Sequence, residues 1–163
     1  MFKYLILITL CVYQKDDTFD EMLMKYYTSD VPKIQPSVLD EKMKSGQKVV
    51  LIDVRESAEY NVSRIPGSGI YPSYYPSALA NDETGITKGD LIVLYCTIGA
   101  RSEKIANRMI EEGDFTQVFN LYGGIINWSN SGYDLEGPDG KTEEVHVYSA
   151  SWAKWLTKGI PVY

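Results

Sequence analysis

Two stretches, "KVVLIDVR" (48–55) and "DLIVLYC" (90–96), constrain the fold more than any other part of the chain. In each, apolar residues run without a polar interruption, Val49 to Ile52 in the first and Leu91 to Tyr95 in the second. A strand with one wet face alternates apolar and polar residues. A short run without alternation marks a strand covered on both faces, as in a parallel sheet. Weaker strand patterns lie around Gly69–Tyr71 and in "FTQVFNL" (115–121). Helical spacing fills the gaps. "PSVLDEKMKSG" (36–46) places Val38, Leu39 and Met43 near one face, with Ser37 as its cap and Gly46 as its stop. Ile105, Ala106, Met109 and Ile110 form an apolar stripe on a helix from Ser102 to Glu112, ended by Gly113. Strands alternating with helices predict an α/β fold: one mainly parallel central sheet, flanked by helices on both faces, with right-handed crossovers.

A chain of 163 residues fits one such domain with short extensions. The apolar stretch Tyr4–Tyr13 suits the core of an export signal, so residues 1–15 are expected to be an export signal or a lipoprotein-like segment with Cys11 lipidated. That reading places the protein in the periplasm or anchored at the envelope. A short buried N-terminal helix, with the protein kept in the cytoplasm, is the alternative. No stretch is long enough to span a bilayer. Residues 16–31 read as a linker with a short helix on Phe19, Leu23 and Tyr26 or Tyr27, broken by Pro32 and Pro36. The domain is expected over 32–137, with 138–163 as a C-terminal extension packing on it.

The net charge of −6 argues against a nucleic-acid partner, since a phosphate backbone demands a basic face. Two cysteines and one histidine do not supply a structural zinc site or a disulfide scaffold, so no metal and no cofactor is expected.

Ligands of open parallel sheets bind at the carboxyl ends of strands. Cys96 lies at such an end. The loop Cys96-Thr97-Ile98-Gly99-Ala100-Arg101 runs into a helix, where unpaired N–H groups and the helix dipole favour a thiolate. Gly99 permits a positive φ that turns amides inward. Arg101 adds a permanent cation able to face an oxyanion. Ser102 can donate its hydroxyl to the sulfur or help cap the helix. The expected site is therefore Cys96 as nucleophile, with Thr97, Ile98, Gly99, Ala100, Arg101 and Ser102 binding an anion and Arg55 supporting it. Asp53 and Glu59 read as structural ion-pairing residues nearby. Gly123, Gly124 and Trp128 read as turn, helix entry and apolar anchor. His146, in the tail, is expected to be solvated or hydrogen-bonded. The tyrosines of "YPSYYP" (71–76) are expected to cover the core or line the entrance.

Several motifs, in order, resemble the rhodanese domains. "VVLIDVRESAEY" resembles that family's first signature, "IPGSGIYP" its next segment and "CTIGARS" its active-site loop. "NLYGGIINWSNSGYDLEG" resembles the closing motif. The resemblance spans about Pro32 to Gly137. Where the family often has Gly-His-Ile before the Pro-Gly step, this chain has Ser63-Arg64-Ile65, and its tail from Pro138 exceeds the minimal domain.

The resemblance implies a sulfurtransferase that moves a sulfane sulfur from thiosulfate or a persulfide, through a persulfide on Cys96, to a thiophilic small molecule or protein acceptor. Three alternatives belong to other classes. One is a cysteine phosphatase or arsenate reductase-like enzyme on a related fold, whose loop is one residue longer than the four between Cys96 and Arg101. Another is a non-catalytic persulfide carrier or binding module. The third is a redox thiol protein, which the lack of a C-x-x-C pair disfavours.

Overall fold

The structure is a computed structural model describing residues 18–70 and 85–163. The expectations for residues 1–15, for Cys11 and for "YPSYYP" lie outside the described residues. The elements are α1 (Phe19–Met24), β1 (Lys33–Ile34), α2 (Pro36–Lys44), β2 (Val49–Asp53), α3 (Ser57–Val62), β3 (Gly69–Ile70), β4 (Leu91–Tyr95), α4 (Ala100–Gly113), β5 (Val118–Leu121) and α5 (Gly124–Asn130). They continue through β6 (Leu135–Gly137), β7 (Gly140–Thr142), β8 (Glu144–His146), α6 (Ala150–Ala153) and β9 (Ile160–Val162).

β1 to β5 form one sheet in the order β1-β5-β4-β2-β3, and every pairing in it is parallel. The long register of β2 on β4, from Val49 opposite Leu91 to Asp53 opposite Tyr95, places the two apolar runs side by side at its centre. Successive β4 side chains point to opposite faces. Leu91, Val93 and Tyr95 join Leu23, Leu39, Ile125, Ile126 and Trp128 in one core layer. Ile92, Leu94 and Cys96 join Ala106, Met109 and Phe115 in the other. β4 is buried along its whole length, which is why its sequence shows no alternation.

Local details depart from the sequence expectation. α2 starts two residues earlier, with Gln35 rather than Ser37 as N-cap and Pro36 in the first turn. Proline fits there because its fixed φ is helical and its missing N–H would have no partner. α4 begins at Ala100 rather than Ser102, and its C-cap is Asp114 at φ 56. Ile110, expected in the stripe, is 36% exposed. Two-residue β1 is too short to leave a sequence pattern.

The chain beyond β6 is ordered on the domain. β6 and β7 form an antiparallel hairpin, and β8 and β9 a parallel pair linked through α6. Val145 and Val147 are fully buried in the layer that holds Leu23 and Trp128. At the other end, a capping box between Thr18 and Glu21 starts α1. Phe19 of α1 meets Trp155 at 5.8 Å between ring centroids, so the two ends of the described chain touch. Among the described residues, no helix is long and apolar enough to cross a membrane.

Candidate active site

Cys96 follows the last residue of β4 and is 1% exposed. Thr97, Ile98 and Gly99 then turn the chain into α4. Gly99 is its N-cap at φ 96, a conformation that favours glycine. The turn brings the Gly99 N–H to 3.2 Å from the Cys96 sulfur, to which it donates. The sulfur therefore faces both an amide and the N-terminal end of a 14-residue helix, a setting that favours negative charge.

The loop is held from three sides. Behind it, the first amides of α5 donate to its carbonyls: Ile125 N to Cys96 O at 2.9 Å and Ile126 N to Thr97 O at 3.2 Å. This close approach needs Gly124, at φ 57, because a Cβ there would collide with the Cys96 carbonyl oxygen. From β5, Asn120 donates through Nδ2 to Gly99 O at 3.0 Å and accepts from Ser102 Oγ at 2.7 Å. From the segment after α1, Tyr27 Oη donates to Ile98 O and accepts from Gly123 N, both at 2.8 Å. Burial pushes the Tyr27 phenol well above its ordinary range, so it stays protonated and keeps donating.

A polar cluster borders the loop. Arg101 clamps Glu59 with two hydrogen bonds of 2.7 Å and reaches Thr97 Oγ1 at 3.0 Å. Burial works to raise the Glu59 carboxyl, but the Arg101 hydrogen bond, the Glu56 amide and the nearby positive charges outweigh it. Its net position is below the usual carboxylate range. His146, on β8, has Nδ1 at 3.9 Å from Glu59. Burial, aided by Arg55 and Arg101, lowers its pKa against the opposing pull of Glu59, and Nδ1 accepts from Tyr148 N at 3.2 Å.

A cavity of about 200 Å³ opens above Cys96. It is lined by Tyr26, Cys96, Thr97, Ile98, Ala100, Arg101, Tyr148 and Trp152. Among the described residues, no cluster of His, Cys, Asp or Glu side chains could hold a metal ion.

The structure thus brings together Cys96, Thr97, Ile98, Gly99, Ala100 and Arg101, and leaves two of the expected anion-binding residues elsewhere. Arg55 is paired with Asp53, both side chains wholly buried, and also donates to the Ser63 carbonyl. Arg55 does not line the cavity above Cys96, and its Nη1 has no hydrogen-bond partner among the described residues. Ser102 turns to Asn120 in place of the sulfur. Asp53 has the structural pairing expected of it. Glu59 pairs with Arg101 of the site itself, which the sequence did not suggest. Arg64, where the family often has histidine, forms a backbone bridge and an ion pair with Glu136. Sequence reasoning missed Tyr26, Tyr27, Tyr148 and Trp152. The doublet Tyr26-Tyr27 was the available signal, and it read as helix packing.

Comparison with known proteins identifies the family and the fold. The family model for the rhodanese-like domain matches residues 35–131. A sulfurtransferase of Allochromatium vinosum is 30% identical over 110 residues, covering 68% of this chain and 99% of that protein. The probable adenylyltransferase/sulfurtransferase MoeZ of Mycobacterium tuberculosis is 33% identical over 99 residues, 59% of this chain but only 24% of that protein. The solved thiosulfate sulfurtransferase of Pseudomonas aeruginosa shares the fold at a TM-score of 0.59 and 21% identity, over 66% of this chain and 20% of that one. With Cys96 at the mouth of its parallel sheet and this loop around it, the chain belongs to the rhodanese-like domain family.

Proposed function

We propose that the protein transfers a sulfane sulfur from a donor such as thiosulfate or an organic persulfide to a thiophilic acceptor, by way of a persulfide on Cys96. One observation carries this reading. The four residues between Cys96 and Arg101 curl tightly enough for the Gly99 amide to reach the Cys96 sulfur itself. A loop closed on its own sulfur suits one added sulfur atom. Tetrahedral phosphate, with four oxygens, needs a wider ring of donors.

In the first step the Cys96 thiolate attacks the outer sulfur of thiosulfate. The new S–S bond forms as the old one breaks, and sulfite leaves with the bonding pair. In the second step a thiolate or cyanide attacks the outer sulfur of the persulfide, and Cys96 leaves as the thiolate. Both steps are nucleophilic displacements at sulfur with a covalent intermediate. Neither needs a proton removed once Cys96 is ionised, so no histidine base is required. The Gly99 amide and the α4 N-terminus stabilise whichever sulfur carries the charge.

The test is intact-protein mass after incubation with excess thiosulfate. One sulfur should be added to wild type, localised to Cys96, and removed by cyanide with release of thiocyanate. Cys96→Ser should gain none. Sulfur loading on Cys96→Ser, or aryl phosphate hydrolysis by a wild type that forms no persulfide, would overturn the proposal.

A further inference from the structure

The aromatic part of the wall of the Cys96 cavity comes from outside the domain that defines the family. Tyr26 follows α1, Tyr148 precedes α6 and Trp152 lies on α6, and all three fall beyond the matched residues 35–131. Segments far apart in sequence converge here. The Tyr26 and Trp152 rings meet edge to face at 5.3 Å, and the Tyr148 ring lies 5.2 Å from the Arg101 guanidinium. Tyr148 holds φ 69, a left-handed conformation strained for a bulky residue. The Tyr148 N–H bond to His146 Nδ1 helps maintain it. Tyr26 and Tyr148 remain 43% and 58% exposed, although both are large aromatic residues.

The charge of this cavity is as informative as its shape. Arg101 is its one charged lining residue among those described, and both its terminal nitrogens are engaged by Glu59. A small dianion entering would exchange water for aromatic rings and, among the described lining residues, meet no cation that is not already ion-paired, an unfavourable exchange. An uncharged organic body loses nothing by that exchange and gains ring contacts. An apolar cavity of about 150 Å³ is enough to take up benzene. The space above Cys96, about 200 Å³, accommodates a body of that size.

We infer that Tyr26, Tyr148 and Trp152 are specificity-determining residues, and that they select a hydropersulfide donor with an uncharged, apolar body over a dianion such as thiosulfate. The inference rests on the proposed persulfide chemistry at Cys96 and narrows its donor class. The step balances without a further reactant. The Cys96 thiolate attacks the outer sulfur of R–S–S–H, the inner sulfur leaves as R–S⁻ with the bonding pair, and the proton stays on the transferred sulfur. The product is Cys96–S–S–H, and the R group occupies the ring-lined space during transfer.

The test is the second-order rate constant of sulfur loading on Cys96, read by intact mass. The donors are benzyl hydropersulfide, released in situ from a protected precursor, and thiosulfate. Wild type should load faster from benzyl hydropersulfide. The ratio of the two rate constants corrects for the intrinsic reactivity difference once it is divided by the same ratio for a small-molecule thiol. Trp152→Ala and Tyr148→Ala should each lower the corrected ratio by about fivefold to tenfold. Trp152→Phe should retain most of it. Tyr148 is largely exposed, so its variant tests the wall even if Trp152→Ala folds poorly. A corrected ratio favouring thiosulfate, or one unchanged in the alanine variants, would overturn the inference while leaving persulfide formation intact. Loading from neither donor would instead remove the underlying persulfide reading and the inference with it.

Discussion

Tyr27→Phe isolates one oxygen atom at the junction of three elements. The Tyr27 hydroxyl donates to Ile98 O and accepts from Gly123 N, both at 2.8 Å. The first partner sits in the loop that carries Cys96, and the second is the N-cap of α5, whose amides hold that loop from behind. Phenylalanine keeps the ring and its edge contact with Tyr122 at 5.9 Å. It orphans one donor and one acceptor, with Ile98 only 4% exposed. A buried polar group left unpaired costs about 1–3 kcal/mol. Tyr27 is itself only half buried, so water can reach part of the gap, and the lower half of the combined range applies. The expected loss is about 2–4 kcal/mol. In a domain of this size each kcal/mol moves Tm by about 2–4 °C, so Tm should fall by roughly 4–16 °C. Urea unfolding supplies the free energy and a thermal melt the Tm. The rate of sulfur loading on Cys96 should fall as well, because the Gly99 amide loses its brace. A change in unfolding free energy below about 0.5 kcal/mol, the range of an ordinary surface substitution, with loading unchanged, would refute the clamp.

Other expectations follow from the same geometry. Asp53→Asn breaks a pair whose two side chains are wholly buried and should cost about 3–5 kcal/mol by leaving Arg55 uncompensated, measured by urea unfolding. Gly124→Ala puts a methyl group against the Cys96 carbonyl and within 2.7 Å of the Thr97 backbone at φ 57, so it should lower both Tm and the loading rate. The pH dependence of Glu59 has a definite sign. Its folded pKa lies below the unfolded value, so its contribution is present above the unfolded value of about 4.3 and is lost as pH falls through the folded one. Between about pH 5 and about pH 3, wild type should therefore lose more unfolding free energy than Glu59→Gln, and equal losses would contradict the pairing with Arg101.

Much of the architecture was legible in local pattern. The unbroken runs Val49–Ile52 and Leu91–Tyr95 became adjacent central strands because a parallel sheet with helices on both faces buries such runs, completely in β4 and from Leu51 onward in β2. Cys96, Gly99 and the start of α4 were legible for a related reason. A strand end, a residue free to take positive φ and a helix start are neighbours in sequence, so their geometry follows from short-range chemistry. What surrounds that loop was decided only in three dimensions. Two arginines near strand ends look alike in sequence, yet Arg55 is closed on Asp53 inside the domain while Arg101 stands at the cavity, clamped by Glu59 from α3. Ser102 had a choice of partners that only the position of Asn120 on β5 resolved. The cavity wall depended most on tertiary structure. Tyr26 and Trp152 lie 126 positions apart, and no local periodicity encodes that their rings meet. Their contact follows from the shared burial of Leu23 and Val145 in one core layer, which brings both ends of the described chain to the mouth of the sheet.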